Sequence, residues 1–355
     1  MANVTYYMGA GASAGKRMSN GKFIEGLPCV NEIPKRLESY ISNLERATFA
    51  ENMEWKAPRF DLESRADWEN AKGRLLADLN LLYEASLRNA TIDTYAKKLV
   101  LQNRKPELEQ LERLLTLYFI LEQVLLKPDS RYDTFLANIL QDRRQFPENI
   151  KVLSWNYDSQ FEIAYSEYEA SNSLCIGSKM SEEYASFDIL KINGSATFHK
   201  AEAITKYRNN LLSVIKDCND DYNPYKGDEK YDLLLPHIVF LYQLYVGGVN
   251  PLRDNNTNLS FAFDFRKPSD ILFQRADEII GDTEVLVIIG YTFPFFNREI
   301  DRKILDSLSP DATIYIQDLY PERIRQSFQA VCPYIKDANI HLLNEVDQFF
   351  LPPQL

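Results

Sequence analysis

The sequence predicts an α/β protein built on a doubly wound parallel sheet. Short, nearly continuous apolar runs such as Val285-Leu286-Val287-Ile288-Ile289 alternate with segments of helical periodicity. Each run ends in a polar or glycine-rich cluster. Strands with so little polar alternation are buried on both faces, which requires helices above and below the sheet.

The first element is a strand over Asn3 to Met8, followed at once by Gly9-Ala10-Gly11-Ala12-Ser13-Ala14. In this G-x-G-x-x-A pattern Gly9 permits a tight turn and Gly11 lets backbone approach a diphosphate. A helix N-terminus behind them would present free N–H donors. A glycine-rich surface turn is the plain alternative, because the pattern alone is common. A P-loop is excluded, since it needs glycine where Ala10 stands and Ser or Thr where Arg17 stands. Gly15, Ser19, Asn20, Gly21, Gly26 and Pro28 then interrupt helix formation until about Asn31, which predicts a long mobile loop.

Helical spacing follows from Ile33 to Leu44 with Asn31 as N-cap, then over Arg65 to Arg88, Thr91 to Gln102, Pro106 to Leu126 and Thr134 to Arg143. Strands resume at Ile150 to Ser154 and Phe187 to Ile192, separated by a helix that runs to Tyr168. A helix near Ser269 to Ile280 precedes the strand Val285 to Ile289. A helix from Asn297, a strand from Thr313, a helix after Pro321 and a last strand at Ile340 to Leu343 complete the pattern. The expected division is a single domain over 1–355. Its core is 1–31, 147–199 and 265–355, with a large helical insertion at 32–146 and a second insertion at 200–264.

At 355 residues and 45% hydrophobic the chain can bury a large core. A net charge of −11 without a dense Lys/Arg run disfavours direct nucleic-acid binding. A strand starting at residue 3 leaves no signal peptide, and the apolar run Leu114 to Leu126 is too short for a membrane, so the expected location is cytoplasmic. Cys29, Cys175, Cys218 and Cys332 are scattered and there are three His in all, so no zinc ribbon and no metal site are expected.

The polar clusters share one placement. Gly9 to Ser13, Asn156 to Asp158, Asn193 to Ser195, Gly290 to Thr292 and Gln317-Asp318 all stand at carboxyl ends of predicted strands, where parallel sheets bind ligands. Each cluster alone is ordinary turn chemistry. Together they resemble the sirtuin superfamily, and especially its bacterial NAD-hydrolysing branch in anti-phage defence. Gly9-Ala10-Gly11-Ala12-Ser13 with the later Gly26-Leu27-Pro28 is similar to that family's G-A-G-x-S loop and G-x-P. Ser154-Trp155-Asn156-Tyr157-Asp158 resembles its N-x-D segment, Asn193-Gly194-Ser195 lies where it has H-G-S, and Gly290-Tyr291-Thr292 is similar to its later G-x-S.

The resemblance implies a Rossmann-like core that takes NAD+ as substrate or ligand. Gly9, Ala10, Gly11, Ala12 and Ser13 would hold the diphosphate, with Gly194 and Ser195 beside the ligand. Asn156 would orient a water or ribose hydroxyl at the nicotinamide-ribose bond, and Asp158 would face the carboxamide or serve as a helix cap. Gly290 and Thr292 would contact the adenosine side, and Asp318 the ribose hydroxyls. Two departures stand out. Asn193 replaces the family histidine and has no proton to exchange near pH 7, so His199 is a candidate substitute. Trp155 stands where deacylating members have Gln. The implied activity is therefore NAD+ hydrolysis to nicotinamide and ADP-ribose in a defence effector, switched by homo-oligomerisation or by a separate partner protein. The alternatives are a catalytically degenerate NAD+/ADP-ribose-binding module and an interaction protein with a vestigial crevice.

Overall fold

The computed structural model describes residues 1–19, 23–47, 64–140, 146–168, 176–178, 187–198, 238–239, 242–243, 246, 257–264 and 270–355. The strands described are β1 (Val4–Met8), β2 (Ile150–Ser154), β3 (Ile176–Ser178), β4 (Ile189–Lys191), β5 (Gly194–Phe198), β6 (Thr257–Leu259), β7 (Val285–Ile289), β8 (Thr313–Gln317) and β9 (Ile340–Leu343). Seven of them form one all-parallel sheet in the order β3-β4-β2-β1-β7-β8-β9, while β5 and β6 pair separately. On one side the chain order is β1, β2, the edge strand β3 and then β4 between β3 and β2; β7 starts the other side against β1, so the order reverses between β1 and β7. This is the Rossmann-like, doubly wound sheet that the apolar runs predict.

Both faces are covered, which explains why the strands lack polar alternation. Val4, Tyr6 and Met8 of β1 join the apolar layer under α5 (Ser130–Ile139) and α6 (Gln160–Ser166). Tyr7 joins the opposite layer, under α7 (Asp270–Gly281), α8 (Arg298–Leu305) and α9 (Pro321–Gln329). Each of the two tyrosine hydroxyls finds a partner inside its own layer: Tyr6 donates to the Phe350 carbonyl at 3.0 Å and Tyr7 to the Asp301 carboxylate at 2.7 Å.

The chain divides into two compact units, one of residues 1–29, 126–195 and 260–355, the other of residues 30–125 and 196–259. The first holds the parallel sheet. It also takes α5, which the sequence pattern groups with the preceding helices; Phe135 of α5 packs edge-on to Tyr6 at 4.9 Å. This helix begins at Ser130 rather than at Thr134, because the Asp129 carboxylate accepts the Arg131 N–H at 3.0 Å and caps it there.

The second unit holds α1 (Ile33–Arg46), α2 (Arg65–Arg88), α3 (Ile92–Leu101) and α4 (Lys105–Leu125). Ser64 and Asp67 form a capping box at the start of α2, and Thr91 caps α3. Asn31 does not cap α1: Glu32 occupies that position and makes no side-chain cap bond, and the ring of Pro34 fixes the first turn instead. Inside this unit Arg36 and Glu122 form a bidentate pair, with Nε donating to Oε1 at 2.9 Å and Nη2 to Oε2. The two side chains are 4% and 0% exposed. Burial raises the pKa of Glu122, and Arg36 opposes that rise.

Among the described residues no helix is long and apolar enough to cross a membrane. Removing one partner of the buried pair strands the other's charge, so Glu122→Ala should lower unfolding stability by about 3–5 kcal/mol. The double variant Arg36→Met/Glu122→Leu should recover most of that loss in urea denaturation.

Candidate functional site

The register of the sheet brings five strand ends to one level. Met8 of β1 pairs with Ser154 of β2 and with Ile289 of β7. Ser154 pairs with Lys191 of β4, and Ile289 with Gln317 of β8. The segments beginning at Gly9, Trp155, Ile192, Gly290 and Asp318 therefore all leave the same edge of the sheet.

Where the winding reverses, the Gly9–Ser13 turn lies against the Gly290 backbone. Gly11 donates its N–H to the Gly290 carbonyl at 3.0 Å, and Gly9 donates to the Ile289 carbonyl at 3.0 Å. A Cβ on Gly11 would stand 2.6 Å from Gly290 Cα, and one on Gly9 would stand 2.7 Å from the Gly290 oxygen. Gly290 itself has φ +58°, a left-handed conformation that favours glycine. The glycines thus serve a contact between two stretches of backbone.

The same turn is largely satisfied from within. Ala12 donates to the Gly9 carbonyl at 2.9 Å, and Gly15 to the Asp129 carboxylate at 2.7 Å. Exposed Ala10 makes no such bond among the described residues. The expected α-helix behind the turn is replaced by a four-residue 3-10 turn, Ala10–Ser13. Beyond it the predicted loop is braced in its described residues: Ile24 donates to the Lys16 carbonyl and Leu27 to the Ser13 carbonyl, at 3.0 and 2.7 Å. The Arg17 guanidinium spans the loop to the Glu25 and Leu27 carbonyls.

Asn156 reaches this turn from the end of β2. Its Nδ2 donates to the Gly9 carbonyl at 2.9 Å and to Ser13 Oγ at 3.1 Å. A carbonyl only accepts, so the amide's orientation is fixed and Oδ1 is turned away; among the described residues Oδ1 accepts no hydrogen bond. Ser13 Oγ also meets the Tyr132 hydroxyl at 2.9 Å. Asp158, buried, accepts the Gln160 N–H at 3.0 Å and so sets the start of α6. Gln160 Nε2 in turn donates to the Ser13 carbonyl at 3.0 Å. Lys191, also buried, donates to the Asp158 carbonyl at 2.5 Å and pairs with Glu162 at 2.9 Å.

Asn193 is joined to the same segment but fully engaged. Its Nδ2 donates to the Trp155 carbonyl at 3.1 Å, and its Oδ1 accepts the Ala262 N–H at 2.9 Å. Gly194 follows with φ +69°, and Ser195 is half-buried on β5. Two expected residues stand outside this group. Thr292 is exposed, and the Asp318 carboxylate accepts the Tyr320 N–H at 2.8 Å within its own loop. His199 lies outside the described residues.

Other residues that hold the site carry no motif. Arg131 donates to the Gly11 carbonyl at 2.8 Å and to the Val346 carbonyl at 3.1 Å, and the Asp129 amide donates to Gln160 Oε1 at 2.6 Å. Asp301, on α8 and 0% exposed, accepts from Tyr7 at 2.7 Å and from Tyr291 at 3.1 Å to each oxygen. Burial pushes its carboxyl up to about 8, the two tyrosine hydrogen bonds acting the other way.

A cleft of about 480 Å³ lies elsewhere, in the helical unit, with Arg74, Asp78, Gln110, Arg113 and Tyr242 on its walls. Its polar groups largely answer one another: Asp78 accepts from Tyr242 at 2.7 Å and from Gln110 at 2.8 Å. Among the described residues no group of three or more His, Cys, Asp or Glu is placed to hold a metal ion. No protein-family model matches the chain, and no curated protein matches it. Fold and strand-end geometry define it as an α/β protein with an all-parallel, Rossmann-like sheet.

Two outcomes follow for stability. Gly11→Ala should cost about 1–3 kcal/mol through overpacking. Gly290→Ala should cost more, because the left-handed conformation adds about 1–2 kcal/mol; thermal melting orders the two. Asp301 binds its proton more tightly folded than unfolded. Its contribution is therefore full below about pH 4 and is lost as pH rises towards 8. Asp301→Asn should melt above the parent at pH 9, and the gap should close towards pH 4.

Proposed function

We propose that the chain is an NAD+ glycohydrolase, cleaving NAD+ to nicotinamide and ADP-ribose as do the bacterial anti-phage defence enzymes its motifs resemble. The observation that carries the proposal is the orientation of Asn156. With Nδ2 committed to the Gly9 carbonyl and Ser13, the open Oδ1 is an acceptor for a ribose hydroxyl or a water. The reaction needs little more than positioning. As the bond to nicotinamide lengthens, the ribose gains oxocarbenium character, and such a centre captures a well-placed water without a strong base. That suits a site in which Asn193 has both amide groups engaged and no proton to exchange. Asp158 would face the carboxamide, and Ala10, Gly290, Thr292 and Asp318 would contact the rest of the dinucleotide. An enzyme that depletes NAD+ must be held off until needed, so its switch would be self-assembly or a separate partner protein.

The saturation of Asn193, with that of most turn amides, favours a second reading: a module that binds NAD+ or ADP-ribose without turnover. One assay separates them. Purified protein incubated with NAD+ should release nicotinamide and ADP-ribose, and Asn156→Ala should lower turnover at least ~100-fold with melting recorded as a control for folding. Calorimetric binding without products would select the second reading. Absence of binding in calorimetry would overturn both.

A further inference from the structure

Three aromatic side chains beneath the strand ends each adjoin a residue of the candidate site. Tyr7 lies just before Met8 and Gly9, Trp155 immediately precedes Asn156, and Tyr291 immediately follows Gly290. They form one stack. The Tyr291 ring lies parallel to Trp155 with centroids 5.2 Å apart, and Tyr7 meets it edge-on at 5.3 Å. Phe293, at φ +50°, closes the group by stacking on Tyr7 at 5.8 Å.

Asp301 is the polar anchor of this stack. It receives both tyrosine hydroxyls, and the Tyr291 hydroxyl also accepts from Asn297 Nδ2 at 3.1 Å. The titratable groups facing it are Tyr7 from β1, Tyr291 from the segment after β7, and Cys332 from the segment after α9. All three are neutral, because burial raises each one's pKa. Among the described residues no Lys or Arg pairs with Asp301. A completely buried carboxyl without a cation destabilises the fold once ionised, whereas an apolar residue would pack there at no such penalty.

We infer that Asp301 is a positioning residue for the strand-end site: through Tyr291 and Tyr7 it fixes the aromatic group whose members adjoin the Gly9–Ser13 turn, Asn156 and Gly290 in the chain. Because both hydroxyls donate to it, removing the carboxyl frees the polar ends of Tyr7 and Tyr291, and Gly290 shifts against Gly11. The link to turnover rests on the proposed NAD+ reaction; the link to the turn does not.

The test therefore has two arms. Hydrogen exchange at the Gly11 amide, corrected for its intrinsic base-catalysed rate, reports the bond to the Gly290 carbonyl directly. Its protection should fall about tenfold in Asp301→Leu, and Asp301→Asn, which keeps the shape and one acceptor oxygen, should recover most of it. In the second arm, Asp301→Leu should lower kcat for NAD+ about tenfold while KM changes little, with Asp301→Asn restoring most of it. Gly11 protection unchanged in Asp301→Leu overturns the inference, as does an unaltered kcat. If none of these proteins consumes NAD+, the proposed reaction fails, and the exchange arm still decides the role of Asp301.

Discussion

The contact on which the candidate site depends is between two pieces of main chain: Gly11 against Gly290, at the point where the sheet reverses its winding. A side chain at either position would hold the two strand-end segments apart. Because both lack one, the Gly11 N–H reaches the Gly290 carbonyl, and the turn after β1 is built onto the segment after β7. Everything else near the strand ends is arranged around this seam. Asn156 is drawn to the Gly9 carbonyl, Gln160 to the Ser13 carbonyl and Arg131 to the Gly11 carbonyl, so three side chains answer carbonyl oxygens of one short turn.

That arrangement changes what the glycines mean. Read as a motif, they promise amides aimed at a ligand's phosphates; placed in the fold, most of those amides are used internally, and glycine is required by backbone meeting backbone. The open valence has moved to side chains. Once the carbonyl of Gly9 has claimed the Asn156 nitrogen, the oxygen of the same amide is the group left open among the described residues. Most of the surrounding polar atoms are braces, and a braced site holds its geometry before anything binds.

The fold was legible where burial alone decides structure. Val285–Ile289 and Ile150–Ser154 read as short strands covered on both faces, and Arg65–Arg88 follows helical spacing throughout. Element ends were less so. Asn31 has a good cap residue's chemistry, but Pro34 sets where α1 starts, and Asp129 starts α5 earlier than the apolar spacing suggests. The shared edge of the polar clusters was readable because parallel strands end together. Arg131, Gln160 and Asp301 were not, because their roles arise from contacts across 120, 147 and 294 residues of chain, a separation that no local pattern encodes.

The paired tyrosines of β1 have a consequence for how the sheet assembles. Tyr6 and Tyr7 point into opposite layers, and each hydroxyl has an acceptor in its own layer. A strand displaced by one residue would exchange its faces, leaving one hydroxyl without the Phe350 carbonyl and the other without Asp301. In a parallel sheet whose central strands are mostly apolar and so nearly interchangeable, such a slip would otherwise be an easy error. The two hydroxyls work as register pins, admitting one alignment of the central strand and making the neighbouring ones costly.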